Sequence, residues 1–75
     1  MNYTEGEIVK YEGEVGTLIK NIGGTGFRFM PSSYSGSYVM EQFKKVDPTL
    51  IEEPTKDDIL YHITLKDDWL GNIVE

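Results

Sequence analysis

The sequence predicts a single small domain that is mainly β (β or α+β) and carries one short helix. Three observations lead to this fold class. The chain has 75 residues, too few to build two separate cores, so residues 1–75 are expected to form one domain. Most of its apolar segments alternate apolar and polar residues, as strands with one buried face do. Turn residues, glycine above all, separate those segments along the first half of the chain.

Three strands are predicted in the first thirty residues. Residues 7–11 (Glu-Ile-Val-Lys-Tyr) are rich in β-branched and aromatic side chains, and residues 15–20 form the return strand. Glu12 and Gly13 make the turn between them. The glycines of residues 21–26 accept positive φ, which indicates a second turn. Residues 27–30 then alternate and form the third strand.

A short helix is predicted over residues 37–46. Val39, Phe43 and Val46 lie at positions i, i+4 and i+7, which places them on one helical face. Ser37 is a suitable N-cap, and Pro48 lies just beyond the end of this pattern.

The C-terminal third has two interpretations. Residues 47–58 predict a loop, the alternation over 59–66 predicts a strand, and residues 72–74 predict a last short strand. Residues 55–58 (Thr-Lys-Asp-Asp) also match a helix start, so a helix is the competing interpretation of 56–66. With the strand interpretation, the element order is that of a small antiparallel five-stranded barrel of the OB type.

The faces of these elements define the expected core. On each strand the inward side chains are every second residue, and on the helix they are spaced by three or four. The residues expected to be mostly buried are Val9, Val15, Leu18, Ile19, Val39, Phe43, Ile59, Tyr61 and Ile63.

Charge is distributed unevenly along the chain. The net charge is −6, yet residues 1–46 carry five acids and five bases, so the whole excess lies in residues 47–75. A polyanion is repelled by such a C-terminal part, whereas a basic protein is attracted. The carboxylates could equally be solvated residues that keep a small protein soluble. The candidates for an acidic surface are Asp57, Asp58, Asp67 and Asp68.

Composition also restricts the compartment and the chemistry. The chain has no cysteine, which excludes disulfides and thiolate metal sites, and no apolar run approaches the roughly 20 residues of a membrane helix. Its first residues are acidic and unlike a signal peptide. We therefore expect a cytoplasmic or phage-like protein without membrane contact.

The usual signatures of catalysis are missing from the sequence. The single histidine, His62, lies on the polar face of the predicted strand, and the serines cluster in one turn-like stretch. Residues 23–26 (Gly-Gly-Thr-Gly) lead into a strand, and they lack the lysine and the helix of a phosphate-binding loop. The paired aspartates lack the spacing of a calcium loop. We expect no enzymatic activity, no cofactor and no metal.

One group of residues has the character of a ligand surface. Phe27 and Phe29 lie on the same face of a predicted strand, with Arg28 between them and Lys10 and Lys20 on neighbouring strands. Aromatic rings beside basic residues bind single-stranded nucleic acid by stacking on its bases. The same alternation can instead direct both rings into the core and leave Arg28 in water.

Several segments of the chain resemble the cold-shock domain family. Residues 16–19 (Gly-Thr-Leu-Ile) and 26–30 (Gly-Phe-Arg-Phe-Met) are similar to its Gly-Thr-Val-Lys-Trp and Lys-Gly-Phe-Gly-Phe-Ile motifs, with the same step between glycines. Residues 39–43 fall where the family has Val-Phe-Val-His-Phe. Residues 58–63 and 71–73 are similar to its last two strands. The resemblance implies an OB barrel that binds single-stranded nucleic acid, with a strand rather than a helix at 39–43.

This chain departs from the family pattern at its binding motifs. Lys20 stands in place of the family's stacking Trp, Thr25 in place of its motif Lys, and Met40 and Gln42 in place of a Phe and a His. The resemblance therefore assigns stacking only to Phe27, Phe29 and Phe43.

Two functional hypotheses follow from these patterns, both non-catalytic. The first is a single-stranded nucleic-acid-binding module of cold-shock type, whose candidate residues are Lys20, Phe27, Arg28, Phe29 and Phe43. The second is an acidic protein-interaction or inhibitor module, whose C-terminal carboxylates face a basic partner or imitate nucleic acid. Exposure of Phe27 and Phe29 together on a face free of carboxylates favours the first hypothesis. Burial of these rings, with the four aspartates gathered on one surface, favours the second.

Overall fold

A tight hairpin opens the fold in the computed structural model, which describes the backbone of residues 3–74 and the side chains of residues 3–66. Strands β1 (Ile8–Tyr11) and β2 (Glu14–Lys20) pair antiparallel across a two-residue turn. The turn residues Glu12 and Gly13 have φ of 51° and 81°. Positive φ at both positions is typical of a type I′ turn, whose twist matches that of the strands it joins.

Two further strands complete the sheet. β3 (Phe27–Pro31) pairs antiparallel with β2, so that Lys20 lies opposite Phe27. β4 (Ile51–Glu52) pairs antiparallel with the other edge of β1. The sheet order is therefore β3-β2-β1-β4. The first three predicted strands are confirmed, whereas β4 falls within the predicted loop.

The chain also contacts the outer edge of β3. The backbone N–H of Phe29 donates to the carbonyl of Lys44 at 3.1 Å, and the N–H of Val46 donates to the carbonyl of Phe27 at 2.9 Å. A 3₁₀ turn, Pro48–Leu50, then leads to β4. Within the described residues the four-stranded sheet does not close into a barrel. The mainly β class is confirmed, but the five-stranded OB-like barrel is not.

The helix predicted over 37–46 is wrong. In its place the structure has a single 3₁₀ turn, Met40–Gln42, and the backbone is extended at Phe43. The strand that the cold-shock resemblance implies at 39–43 is not formed either. The physical reason is pairing with β3: the Lys44 carbonyl and the Val46 N–H bond to that edge, whereas in an α-helix through 37–46 the Val46 N–H would donate to the Gln42 carbonyl instead.

The strand predicted at 59–66 is also wrong, and the competing helix is correct. Helix α1 spans Lys56–Val74, so the predicted strand at 72–74 is helical as well. The Thr55 N–H donates to Asp58 Oδ2 at 2.9 Å, and the Asp58 N–H donates to Thr55 Oγ1 at 3.1 Å. This reciprocal capping box satisfies backbone donors that a helix start leaves unpaired. The two segments that resemble the last cold-shock strands both lie within α1.

The main buried cluster lies on one face of the sheet. Val9, Tyr11, Leu18 and Phe29 form a contiguous cluster, and each of their side chains is at most 4% exposed. The predicted burial of Val9, Val15, Leu18, Ile19 and Phe43 is confirmed. The prediction is wrong for the residues of the misassigned segments, which are exposed: Val39, Ile59, Tyr61 and Ile63.

In the part of the chain that the structure describes, no helix has the length and apolarity needed to cross a membrane.

Candidate functional site

The aromatic residues predicted to stack on bases lie mostly inside the protein. The Phe29 side chain is 4% exposed, and its ring centroid lies 5.5 Å from that of Tyr11. Phe27 is half-buried against the same cluster. Phe43 is buried, and its ring meets that of Tyr34 edge to face at 5.0 Å. Phe29 and Phe43 therefore offer no open ring face to a base. For Phe29, the structure agrees with the alternative prediction that the ring points into the core.

The basic residues of the same candidate site make contacts with different parts of the fold. The Arg28 guanidinium donates to Asn21 Oδ1 at 3.1 Å and to the Phe43 carbonyl at 2.5 Å. It therefore ties the β2–β3 turn to the segment after the 3₁₀ turn. Lys20 is exposed opposite Phe27. Lys10 lies 3.9 Å from the Asp58 carboxylate.

The predicted acidic surface is only partly described. Asp57 is exposed, whereas Asp58 is half-buried at the start of α1. The hydrogen bond from the Thr55 N–H, more than the charge of Lys10, holds the pKa of the Asp58 carboxyl below its ordinary value of 3.8. Asp67 and Asp68 lie in the part of α1 whose side chains are outside the described residues. Among the described acids, exposed Glu52 and Glu53 lie at the end of β4 and just after it, before Pro54 and Thr55 lead into α1.

A contact between Ser32 and His62 was not predicted from the sequence. Ser32 Oγ lies 2.7 Å from His62 Nδ1, which joins the end of the sheet to α1. Burial, and then the charge of Lys66, lower the pKa of His62 below its ordinary value of 6.5. A serine beside a histidine is one half of a nucleophilic site, but the Ser32 side chain is 3% exposed and cannot meet a substrate. The contact therefore serves to position α1. No local signal predicts it, because the two residues are far apart in sequence.

The apolar character of the solvent-facing side of α1 was not predicted from the sequence either. Ile59, Leu60 and Ile63 are 36–52% exposed, and their spacing places them on one side of the helix. We call these three residues the α1 apolar face. The side chains turned toward the sheet are half-buried, and most are polar or charged: Asp58, His62, Leu65 and Lys66.

The surface of the described residues includes two clefts of opposite charge. The acidic cleft, of about 400 Å³, lies beside β1 and β4, and its carboxylates are Glu7, Glu52 and Glu53. The second cleft, of about 430 Å³, lies between the loop after β3 and α1, and we call it the Lys66 cleft. Its lining residues are Met30, Tyr34, Ser35, Gly36, Ser37 and Lys66. Over the described side chains, no cluster of three or more His, Asp and Glu residues could hold a metal ion.

The fold and its surface define a small domain in which one α-helix packs on an open antiparallel sheet. No protein-family model matches the sequence, and the searches of curated proteins and of solved structures returned no match.

Proposed function

We propose that this domain is a non-catalytic protein-interaction module that binds a basic partner through α1. The single observation that carries the proposal is the orientation of the helix. An amphipathic helix on a sheet normally turns its apolar stripe toward the core. Over residues 56–66 of α1, Ile59, Leu60 and Ile63 are instead on the solvent side, while Asp58 and His62 face the sheet.

An outward apolar face is favourable only if something covers it. Burial of apolar surface is the main driving force of association, and contiguous exposed apolar patches mark interaction sites on soluble proteins. The α1 apolar face supplies three large aliphatic side chains without any rearrangement of the sheet beneath it. Its partner should therefore present an apolar surface of similar width.

Charge determines which kind of partner fits. Exposed Asp57 lies in the first turn of α1, exposed Glu52 and Glu53 lie three to four residues before the helix begins, and the chain as a whole carries −6. A second copy of the chain would bring like charges together, which costs free energy at an interface. We therefore assign the α1 apolar face to a partner whose apolar patch is rimmed by Lys and Arg.

Single-stranded nucleic acid is the competing partner. It would depend on Phe27 and Lys20, since Phe29 and Phe43 are buried and Arg28 bonds within the protein. One half-buried ring and one exposed lysine give far less than the row of stacked rings and the basic groove that such proteins use. Burial of Phe29 thus supports the interaction module over the nucleic-acid interpretation.

An NMR titration with designed peptides tests the proposal. The probes are a helical Leu–Lys amphipathic peptide, its Leu–Glu counterpart and an oligothymidine. We expect the Leu–Lys peptide to bind and to shift backbone resonances of α1. Weaker binding is expected for the Leu–Glu peptide, and binding should weaken as salt rises. Equal binding of both peptides, or tighter binding of the oligothymidine, would contradict the proposal.

Matched variants identify the surface. The double change Leu60→Ala and Ile63→Ala should weaken peptide binding more than tenfold, because each side chain contributes roughly 1.5–3 kcal/mol when fully buried. Ile22→Ala is the control, since Ile22 is 83% exposed and belongs to the β2–β3 turn rather than to α1. The control should bind like the parent. Unchanged binding of the double variant would exclude α1 as the contact surface.

A further inference from the structure

The Lys66 cleft is bounded by three different parts of the fold. Met30 comes from β3, Tyr34 and Gly36 come from the loop that follows, and Lys66 comes from α1. Its volume of about 430 Å³ is within the range of small-molecule sites, roughly 300–1,000 Å³. Such sites combine apolar walls with a few placed polar groups.

The apolar wall of this cleft is held in place by its neighbours. The Tyr34 ring meets the rings of Phe43 and Tyr38 edge to face, at centroid distances of 5.0 Å and 6.2 Å. Its hydroxyl donates to the carbonyl of Ser37 in the same loop. Met30 adds a polarisable thioether, which packs well against aromatic groups. A wall that is already ordered loses little conformational entropy when a ligand binds.

The charged group of the cleft is the Lys66 ammonium. Its Nζ donates to the Tyr34 carbonyl at 3.2 Å, which positions the ammonium and leaves two of its three N–H donors for a ligand. In the portion with described side chains, the ion pairs are Lys10–Asp58 and Lys44–Glu12, and no carboxylate lines this cleft. The half-buried Lys66 side chain is thus the group that a bound anion would contact.

We propose that the Lys66 cleft binds a small organic carboxylate with an aromatic or branched apolar body. The carboxylate would accept hydrogen bonds from Lys66, and the apolar body would pack on Tyr34 and Met30. A single negative charge fits better than a phosphate dianion, because one ammonium faces a chain whose net charge is −6. The proposal concerns a surface other than the α1 apolar face, so it does not depend on the proposed function.

Phenylacetate and its neutral isostere phenylacetamide are the probes that test this site. The titration is followed by NMR on the Met30 methyl group and the Tyr34 ring of the full chain. Phenylacetate should bind in the millimolar range and shift both signals. Phenylacetamide should bind about tenfold or more weakly, since it cannot form the charge-assisted hydrogen bond with Lys66. Equal binding of the two probes, or no shift at either residue, would overturn the proposal.

Three lysine variants complete the test. Lys66→Met keeps the apolar stem and should lose about tenfold or more in affinity for phenylacetate, whereas Lys66→Arg should retain it. Lys56→Met is the control, because Lys56 is an exposed lysine of the same helix that does not line the cleft. It should bind like the parent. The two probes are compared on the unmodified protein, so that comparison can contradict the proposal even if a variant is unstable. Full affinity in Lys66→Met would also overturn the proposal.

Discussion

The sheet and helix α1 bury opposite kinds of side chain. In β1 and β2 the apolar residues are buried, as with Val9, Tyr11 and Leu18, and the turn between the strands is exposed. In the described half of α1, Ile59, Leu60 and Ile63 face solvent, whereas Asp58, His62 and Lys66 face the sheet. The difference teaches that an apolar pattern indicates which residues share one side of a helix or strand. It does not indicate which side the rest of the fold buries.

The two regions are also held together by different interactions. The strands depend on a backbone ladder and on close packing of buried apolar groups. The first half of α1 is attached through polar contacts, which are Ser32 with His62, Lys10 with Asp58 and Lys66 with the Tyr34 carbonyl. Changes in core volume should therefore act on the sheet, whereas changes in capping and protonation should act on the helix.

The largest expected effect is a difference in stability loss between one substitution in the sheet and one substitution in α1. Leu18→Ala removes a side chain that is 0% exposed, and it should lower the free energy of unfolding by about 2–5 kcal/mol. Leu60→Ala truncates a side chain that is 52% exposed and should change it by no more than about 0.5 kcal/mol. Urea unfolding measures both values. A comparable loss in the two variants would mean that the outer side of α1 is covered.

A smaller effect is expected from a methyl group added inside the sheet. A Cβ at Gly16 would contact the Met30 carbonyl and lie 2.6 Å from Phe29 Cζ. Gly16→Ala should therefore destabilise the domain by about 1–3 kcal/mol through overpacking. Thermal melting checks the value. Gly24→Ala is a milder comparison, since its Cβ meets only the end of the Asn21 side chain. A Gly16→Ala variant as stable as the parent would indicate that β2 and β3 are less closely packed.

The capping box of α1 predicts an effect of about 1 kcal/mol. Thr55→Ala removes the hydroxyl that accepts from the Asp58 N–H, and loss of an N-cap typically costs this much. Far-UV circular dichroism should show reduced helix content. Thr64→Ala, at an exposed position within α1, should keep or slightly raise it because alanine is the better helix former. If Thr55→Ala left both stability and helix content intact, the helix start would lie elsewhere.

The smallest effect is a dependence of stability on pH through His62. Its pKa is lowered in the folded protein by burial and by Lys66, below the ordinary value of 6.5. The unfolded chain therefore binds the proton more readily, so stability should fall as pH drops from about 6.5 and should stop falling below the folded pKa. Melting temperatures between neutral pH and about pH 5 measure the slope.

Two variants assign that slope. His62→Gln should flatten it, because glutamine does not titrate. Asp58→Asn should leave it unchanged, since the lowered pKa of Asp58 places its own transition below 3.8. A slope that persisted in His62→Gln would assign the titration to another group.

About half of the architecture could be predicted from the sequence. The β1–β2 hairpin and β3 were found because alternation and turn residues agree over short stretches, as at Glu12 and Gly13. The sequence also contained the correct start of α1 at Thr55, but the alternation of Ile59, Tyr61 and Ile63 favoured a strand. Ile59 and Ile63 fit both structures, because residues four apart share a side of a strand and also a side of a helix, so periodicity over this short stretch could not decide between them.

The candidate site was predicted less well than the fold. Phe27, Phe29 and Arg28 do lie together on β3, but Phe29 packs on Tyr11, and Arg28 bonds to a carbonyl 15 residues away. Whether an aromatic residue binds a ligand or fills the core depends on what lies across from it. The α1 apolar face and the Lys66 cleft join residues from separate segments, so no local pattern signals them.

The sequence by itself determined the strands of the first thirty residues, the capping box at Thr55 and the acidic character of the C-terminal part. These follow from local propensity, from hydrogen bonds between near neighbours and from simple charge. Only the tertiary structure decided that Lys44 and Val46 pair with β3 rather than form a helix, and that α1 turns Ile59, Leu60 and Ile63 toward solvent. The physical reason is that a segment's own residues limit the structures it can adopt, while the free energy that selects among them comes from distant partners.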